Sequence, residues 1–314
     1  MEIDCFVINL MLLLQIMIWE QFDWFIYTIC FTVIYGIINF VYKIAAVHQC
    51  PSHRVVNMAA ITVTISSFVI IIISGSAFVD FRLIIFFAII NSSFFALGSI
   101  TKIQSLKYIP TSFAFPVAKL NSVFLIIYAL ILFNEQPLWN QWIGITLSLS
   151  MLAFISFSAK GSTTTKKENK QHVTGLLLAL LAAFSTSISM LTGKFASTEV
   201  SKLHYIFVSY ALVMIYTTII SRTFYRKKRK VGKSMYRKIL LFGVIIGILN
   251  FAGYFLVLSA FATGPLSLIQ GISSNSFIIP IILSVIVFKE KFSYKNAIVV
   301  FLAILSVLLI KLEF

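Results

Sequence analysis

From Trp24 to Ala46 the chain runs 23 residues with a single charge, Lys43, and runs of this kind recur along its length. A helix needs about 20 apolar residues to cross the hydrocarbon core of a bilayer. Inside that core every backbone N–H and C=O must find its partner within the protein, which leaves helices or a closed barrel. Barrel strands alternate polar and apolar residues, and "FVIIIISG" (68–75) does not alternate. The pattern predicts helical spans at 24–46, 55–75, 82–106, 111–133, 139–159, 172–195, 203–222, 237–260, 264–288 and 294–312. The fold class is therefore an all-α polytopic membrane protein of about ten transmembrane helices. Only 11% of the residues are charged, against roughly 25% in a soluble domain. Ten spans with short loops use up the 314 residues and leave no room for a large soluble domain.

The net charge of +15 sits in the connections. There it sets topology and meets anionic headgroups, so membrane lipids, not nucleic acid, are the expected partners. The odd connections hold 20 of the 25 Lys and Arg; Arg82, Lys194, Lys202 and Lys311 lie on the other side, and Lys119 lies within a span. The positive-inside rule then places the odd connections in the cytoplasm and the C-terminus outside. Trp19, Trp24, Trp139 and Trp142 all fall at span ends, as an aromatic belt requires. The segment 222–238 carries nine Lys/Arg and reads as a topology anchor, or else as a site for anionic lipid or a partner. Residues 1–23 are apolar but lack the basic start and small-residue cleavage site of a signal peptide. They read as an extra span, an interfacial helix, or a start-site artefact with the true start at Met17. Cys5, Cys30 and Cys50 have no spacing that suggests a disulfide framework or a metal site.

A motif is written twice. "AKLNSVFLIIYALILFNEQ" (118–136) and "SSNSFIIPIILSVIVFKEK" (273–291) share Asn-Ser, a dozen mostly apolar residues and a glutamate in a short polar cluster. Asn121-Ser122 matches Asn275-Ser276 at a shift of 154, Glu135 matches Glu290 at 155, Lys43 matches Lys194 at 151, and Ser105 matches Ser259 at 154. One nearly constant shift means two halves. With five spans each, the second half enters the membrane from the opposite face, giving an inverted repeat with a site between the halves near the midplane. The expected organisation is an N-terminal apolar extension (1–23), a first five-helix repeat (24–159), a polar linker (160–171) and a second five-helix repeat (172–314).

Several stretches fit one known family in order and spacing: "YGIINFVYKIA", "STSISMLTGKFA", "SLKYIPTSFAFPVAKLNS", "FNEQPLWNQWIG" and "FKEKFSYKNAI". Through these the chain resembles the drug/metabolite transporter superfamily, and within it the ten-helix EamA-type transporters, over about residues 24–314. The family's fourth and ninth helices usually end in a glutamate followed by a Gln-x-x-Gly-like start. Gln141 and Gly144 fit this in the first half, whereas Asn296 and Val299 depart from it in the second. The resemblance implies cytoplasmic termini, which the charge distribution contradicts, and export in preference to import.

The acids are Glu2, Asp4, Glu20, Asp23, Asp80, Glu135, Glu168, Glu199, Glu290 and Glu313, none of them mid-span. That argues against a buried-carboxylate coupling site and against an intramembrane aspartyl protease. Glu135 and Glu290, each just ahead of a helix start, read as structural caps. His48, His53, His172 and His204 lie near loops and form no zinc motif. No catalytic residue, metal site or cofactor is expected, and the protein is not expected to be an enzyme.

The polar groups that do enter the spans supply the candidate substrate-binding residues: Lys119, Asn121, Asn91, Asn250, Tyr254, Gln270 and Asn275. Polar residues in membrane helices also bond helix to helix, so a packing role stands beside the binding role for each. Lys119 is the sharpest case. A lysine near a helix centre costs about 2.5–3.5 kcal/mol on insertion scales and usually faces a cavity. Its repeat mate is Ser273, so the repeat itself does not demand the charge. The expected function is a secondary-type transporter of the inner or plasma membrane, multi-pass, a monomer or homodimer. It moves a small organic metabolite, anionic or zwitterionic, by alternating access. The alternative is a non-transporting membrane receptor or scaffold.

Overall fold

The structure, a computed structural model, describes residues 24–109, 117–158, 166–224, 232–288 and 294–312. Regular structure among them is entirely helical: α1 (Trp24–Val47), α2 (Ser52–Ser74), α3 (Phe81–Ser105), α4 (Leu120–Leu132), α5 (Trp139–Ser158), α6 (Lys166–Glu199), α7 (Lys202–Phe224), α8 (Lys233–Thr263), α9 (Leu266–Ser274), α10 (Ile278–Phe288) and α11 (Tyr294–Lys311). Seven helical spans among the described residues are long and apolar enough to cross a membrane, and shorter apolar helices run at Leu120–Leu132 and Ala297–Lys311.

Local chemistry sets the boundaries. Gly75 closes α2 in the left-handed region at φ 60°, its N–H returning to the Ile72 carbonyl. Pro51 and Pro265 stand immediately before α2 and α9, where a missing N–H costs nothing. Two boundaries differ from the sequence reading. First, α6 begins at Lys166, so the last residues of the expected linker are its polar first turns. Second, the ninth span, helical from Leu266 to Val287, is tightened part-way: α9 ends at Ser274, a 3₁₀ turn occupies Asn275–Phe277, and α10 follows. Pro280 explains the tightening. Its ring clashes with the carbonyl of the residue four positions earlier, Ser276, and it has no N–H to give. Residues 1–23, Glu290 and the start of the expected fourth span at 111–116 lie outside the described residues.

The packing repeats when the halves are exchanged. α3 packs on α6 as α8 packs on α1; α3 packs on α7 as α8 packs on α2; α4 packs on α6 as α9 packs on α1. Three pairs join mate to mate: α2 with α7, α4 with α9, and α5 with α11. That is the contact pattern of two five-helix repeats related by a pseudo-two-fold axis. The α8–α2 contact is tight because Gly243 and Gly247 face α2. A Cβ on Gly247 would lie 2.5 Å from Thr62 Cβ and 2.8 Å from the Ala59 carbonyl, and one on Gly243 would overlap Met58.

Candidate functional site

A cavity open to solvent lies between the halves, the space in it and at its mouth together about 860 Å³. Its walls follow from helical spacing. α1 presents Phe31, Tyr35, Ile38 and Tyr42 on one face; α3 presents Phe95, Ser99 and Lys102; α8 presents Asn250 and Tyr254. These intervals of three and four residues form a single stripe on each helix. α6 adds Thr186, Ser189 and Met190, and the α4 and α9–α10 region adds Lys119, Asn121, Ser273 and Ser276. Both repeats therefore contribute to the lining.

Lys119, in the turn ahead of α4, donates its ammonium to the carbonyl of Ser273 at 2.9 Å. Ser273 sits at the end of α9, where carbonyls lose their helical donors. The two residues are repeat mates, 154 positions apart, and they meet. A position near a pseudo-two-fold axis faces its own mate, so two lysines there would set two cations side by side. One lysine and one backbone carbonyl make a bond instead. This accounts for a lysine in only one copy of the motif.

Asn91 on α3 donates to the Ser189 carbonyl at 2.9 Å, to Ser189 Oγ at 3.0 Å and to the Tyr254 hydroxyl at 2.8 Å. Tyr254 in turn donates to Tyr205 at 3.5 Å. One amide thus ties α3 to α6 and α8 beside the cavity. Among the described residues Asn121 reaches only the Met190 sulfur, at 3.6 Å. Among the described residues Asn250, buried, has no partner for its Oδ1, and Ser276 Oγ is also buried without one.

Asn91 is not among the residues that line the cavity, and neither are two further expected site residues, Gln270 and Asn275. Gln270 Oε1 accepts from Ser122 at 3.4 Å and from Ser273 at 3.1 Å. Asn275 faces α5 and α11, donating to Ser148 at 3.2 Å and Ser306 at 3.1 Å. Each is buried, but each braces the α9–α10 junction. Lys102 is the residue the sequence reading missed. It was grouped with the charges of the connection after α3, yet it lines the cavity with its ammonium 5.9 Å from the centre of the Tyr42 ring. The signal was present: Asn91, Phe95, Ser99 and Lys102 share one helical face.

A second polar centre lies on the side of the α4–α5 and α8–α9 connections. Glu135 accepts from the Leu266 N–H at 2.6 Å, the Ser267 N–H at 2.8 Å and the Ser267 hydroxyl at 2.6 Å. Glu135 does cap a helix, but that helix is α9 of the other repeat. The start of α5 is served by Gln141, whose Oε1 accepts from the Leu138 N–H at 2.8 Å. Beside it Lys194 donates to the carbonyls of Phe261 and of Gly264, the latter at 3.0 Å, at the end of α8.

The sequence profile described as the EamA-like transporter family matches residues 23–157 and, a second time, residues 173–312. The chain belongs to the EamA-like transporter family. An uncharacterized transporter of Archaeoglobus fulgidus is 26% identical over 218 residues, 69% of this chain and 72% of that protein. A crystal structure shares the fold with a TM-score of 0.68 at 15% identity, covering 90% of this chain and 98% of the other. The two matches of the EamA profile coincide with the two sets of helices that exchange in the packing. In this EamA-family chain the cavity thus lies between the copies, beside the pseudo-two-fold axis. As a multi-pass member of a transporter family, the protein has a small-molecule substrate and contacts membrane lipids.

Proposed function

We propose that the chain is a secondary transporter carrying a small organic metabolite through this cavity by alternating access. The carrying observation is a cavity between two exchanged repeats, lined by Asn250 and Ser276, whose buried Oδ1 and Oγ find no hydrogen-bond partner among the described residues. A buried polar atom without a partner is costly, and a solute that supplies the partner removes that cost. Lys119, Asn121, Asn250 and Tyr254 are assigned to solute contact. Asn91 positions Tyr254, while Gln270 and Asn275 hold the α9–α10 junction. Glu135 and Lys194 close the opposite side by joining the first repeat's α4–α5 turn and α6 to the junction of α8 and α9. With the odd connections cytoplasmic, the cavity is on the cytoplasmic side of that closure. This orientation favours loading from the cytoplasm and export across the plasma or inner membrane.

Comparative metabolomics of medium and cell extracts, with and without the protein, tests the reading. At least one solute should rise in the medium and fall in the cells when the protein is present. If no solute in either compartment depends on the protein, the transport reading is wrong.

A further inference from the structure

We propose that the cavity selects an organic dianion with an apolar or aromatic body and at least one hydrogen-bond donor. This rests on reading the cavity as the transport site and names the class of solute. Two lysine side chains line it, Lys102 and Lys119, one from each side of the α3–α4 connection. Lys119 uses one of its three donors on the Ser273 carbonyl. Among the described residues Lys102 has no hydrogen-bond acceptor, only the Tyr42 ring 5.9 Å away.

Among the described residues no carboxylate answers these charges. Among the acids whose side chains are described, Asp80, Glu135 and Glu199, none lines the cavity, and Glu135 is already held by the start of α9. Burying an unpaired charge is unfavourable, and pairing with an opposite charge removes most of that cost. A monoanion leaves one ammonium uncompensated. A zwitterion would bring its own cation against two others with no carboxylate to receive it. A dianion, whether a phosphate monoester or a dicarboxylate, balances both.

The neutral groups narrow the class further. Ser276 Oγ, buried and unpartnered among the described residues, can donate to an anionic oxygen. Asn250 Oδ1 can only accept, so the solute must present an N–H or O–H there. Phe31, Tyr35 and Phe95 supply a largely apolar wall for the body of the molecule.

The test is equilibrium binding to the purified full-length protein in detergent at fixed pH and ionic strength, with four probes. These are 4-hydroxybenzoate (one negative charge), 4-hydroxyphthalate (two), 4-hydroxyphenyl phosphate (two) and tyrosine (zwitterionic). At least one dianion should bind about 10-fold or more tighter than both 4-hydroxybenzoate and tyrosine. Which dianion wins identifies the anionic group. Lys102→Met should weaken the preferred dianion by about 10–100-fold, the range for one lost charge-assisted hydrogen bond, and bring it close to the monoanion. Lys102→Gln replaces that variant if it does not fold, and the wild-type series decides the question by itself. Equal binding of monoanion and dianion, a preference for tyrosine, or no binding of any probe overturns the proposal. This failure is separable from that of the transport reading: an exported zwitterion overturns only the dianion, and a dianion-selective protein that moves nothing overturns only transport.

Discussion

Lys119 carries a charge into a membrane helix bundle and meets its own repeat mate there. Lys119→Met removes the donor to Ser273 and one of the two cavity charges, and it should abolish transport while leaving the protein inserted. Lys119→Arg keeps the charge and should retain part of the activity. The check is transport at matched expression, and full activity in the Met variant would contradict the assigned role. The depth of Lys119 was legible because a lysine among apolar residues stands out. Lys102 was not, because a lysine in the last turn of a helix looks the same in sequence whether it reaches headgroups or turns inward. Asn275 was misplaced for a related reason. The motif that pairs it with Asn121 records common descent of the halves, but the mates meet different neighbours: Asn121 reaches Met190 and lines the cavity, whereas Asn275 meets Ser148 and Ser306.

Among the elements, α9 and its cap carry the most information. A carboxylate holding two N–H groups and a hydroxyl at a helix start combines charge-assisted hydrogen bonding with the helix dipole. Glu135→Gln keeps one acceptor and loses the charge, and should destabilise the protein by about 1–3 kcal/mol. Ser267→Ala removes only the hydroxyl and should cost less. Thermal unfolding in detergent ranks the two, and an unchanged transition in Glu135→Gln would mean the cap contributes nothing. The capping role of Glu135 could be read from its place before a helix start. Its partner could not, because the sequence neighbour of Glu135 is α5 and its spatial neighbour is α9. At the α8–α2 contact, Gly247→Leu forces a side chain into Thr62 and the Ala59 carbonyl. Overpacking of this kind typically costs about 1–3 kcal/mol, so a matching fall in unfolding temperature is expected, and none would indicate a looser contact.

For the whole molecule, the number of helices and their two-fold repetition followed from apolar runs and from one recurring shift in the sequence. The interdigitation of the halves did not, since pairing α3 with α6 and α8 with α1 depends on which faces are complementary in three dimensions. Sidedness rests on the Lys and Arg of the odd connections. In a variant without native cysteines, a cysteine at Gly232 should resist impermeant thiol reagents in intact cells and react once the membrane is opened; ready labelling in intact cells would invert the orientation. The central claim is that the two repeats alternate about the cavity, and distances between spin labels measure this most directly. One pair, at Leu138 and Thr263, reports on the side closed by Glu135; another, at Lys107 and Gly232, reports on the opposite side. In lipid bilayers each pair should show two distances, a short and a long one, and Glu135→Gln should enlarge the long population at Leu138–Thr263 while enlarging the short one at Lys107–Gly232. A single unchanged distance at both pairs, in wild type and variant alike, would contradict alternating access.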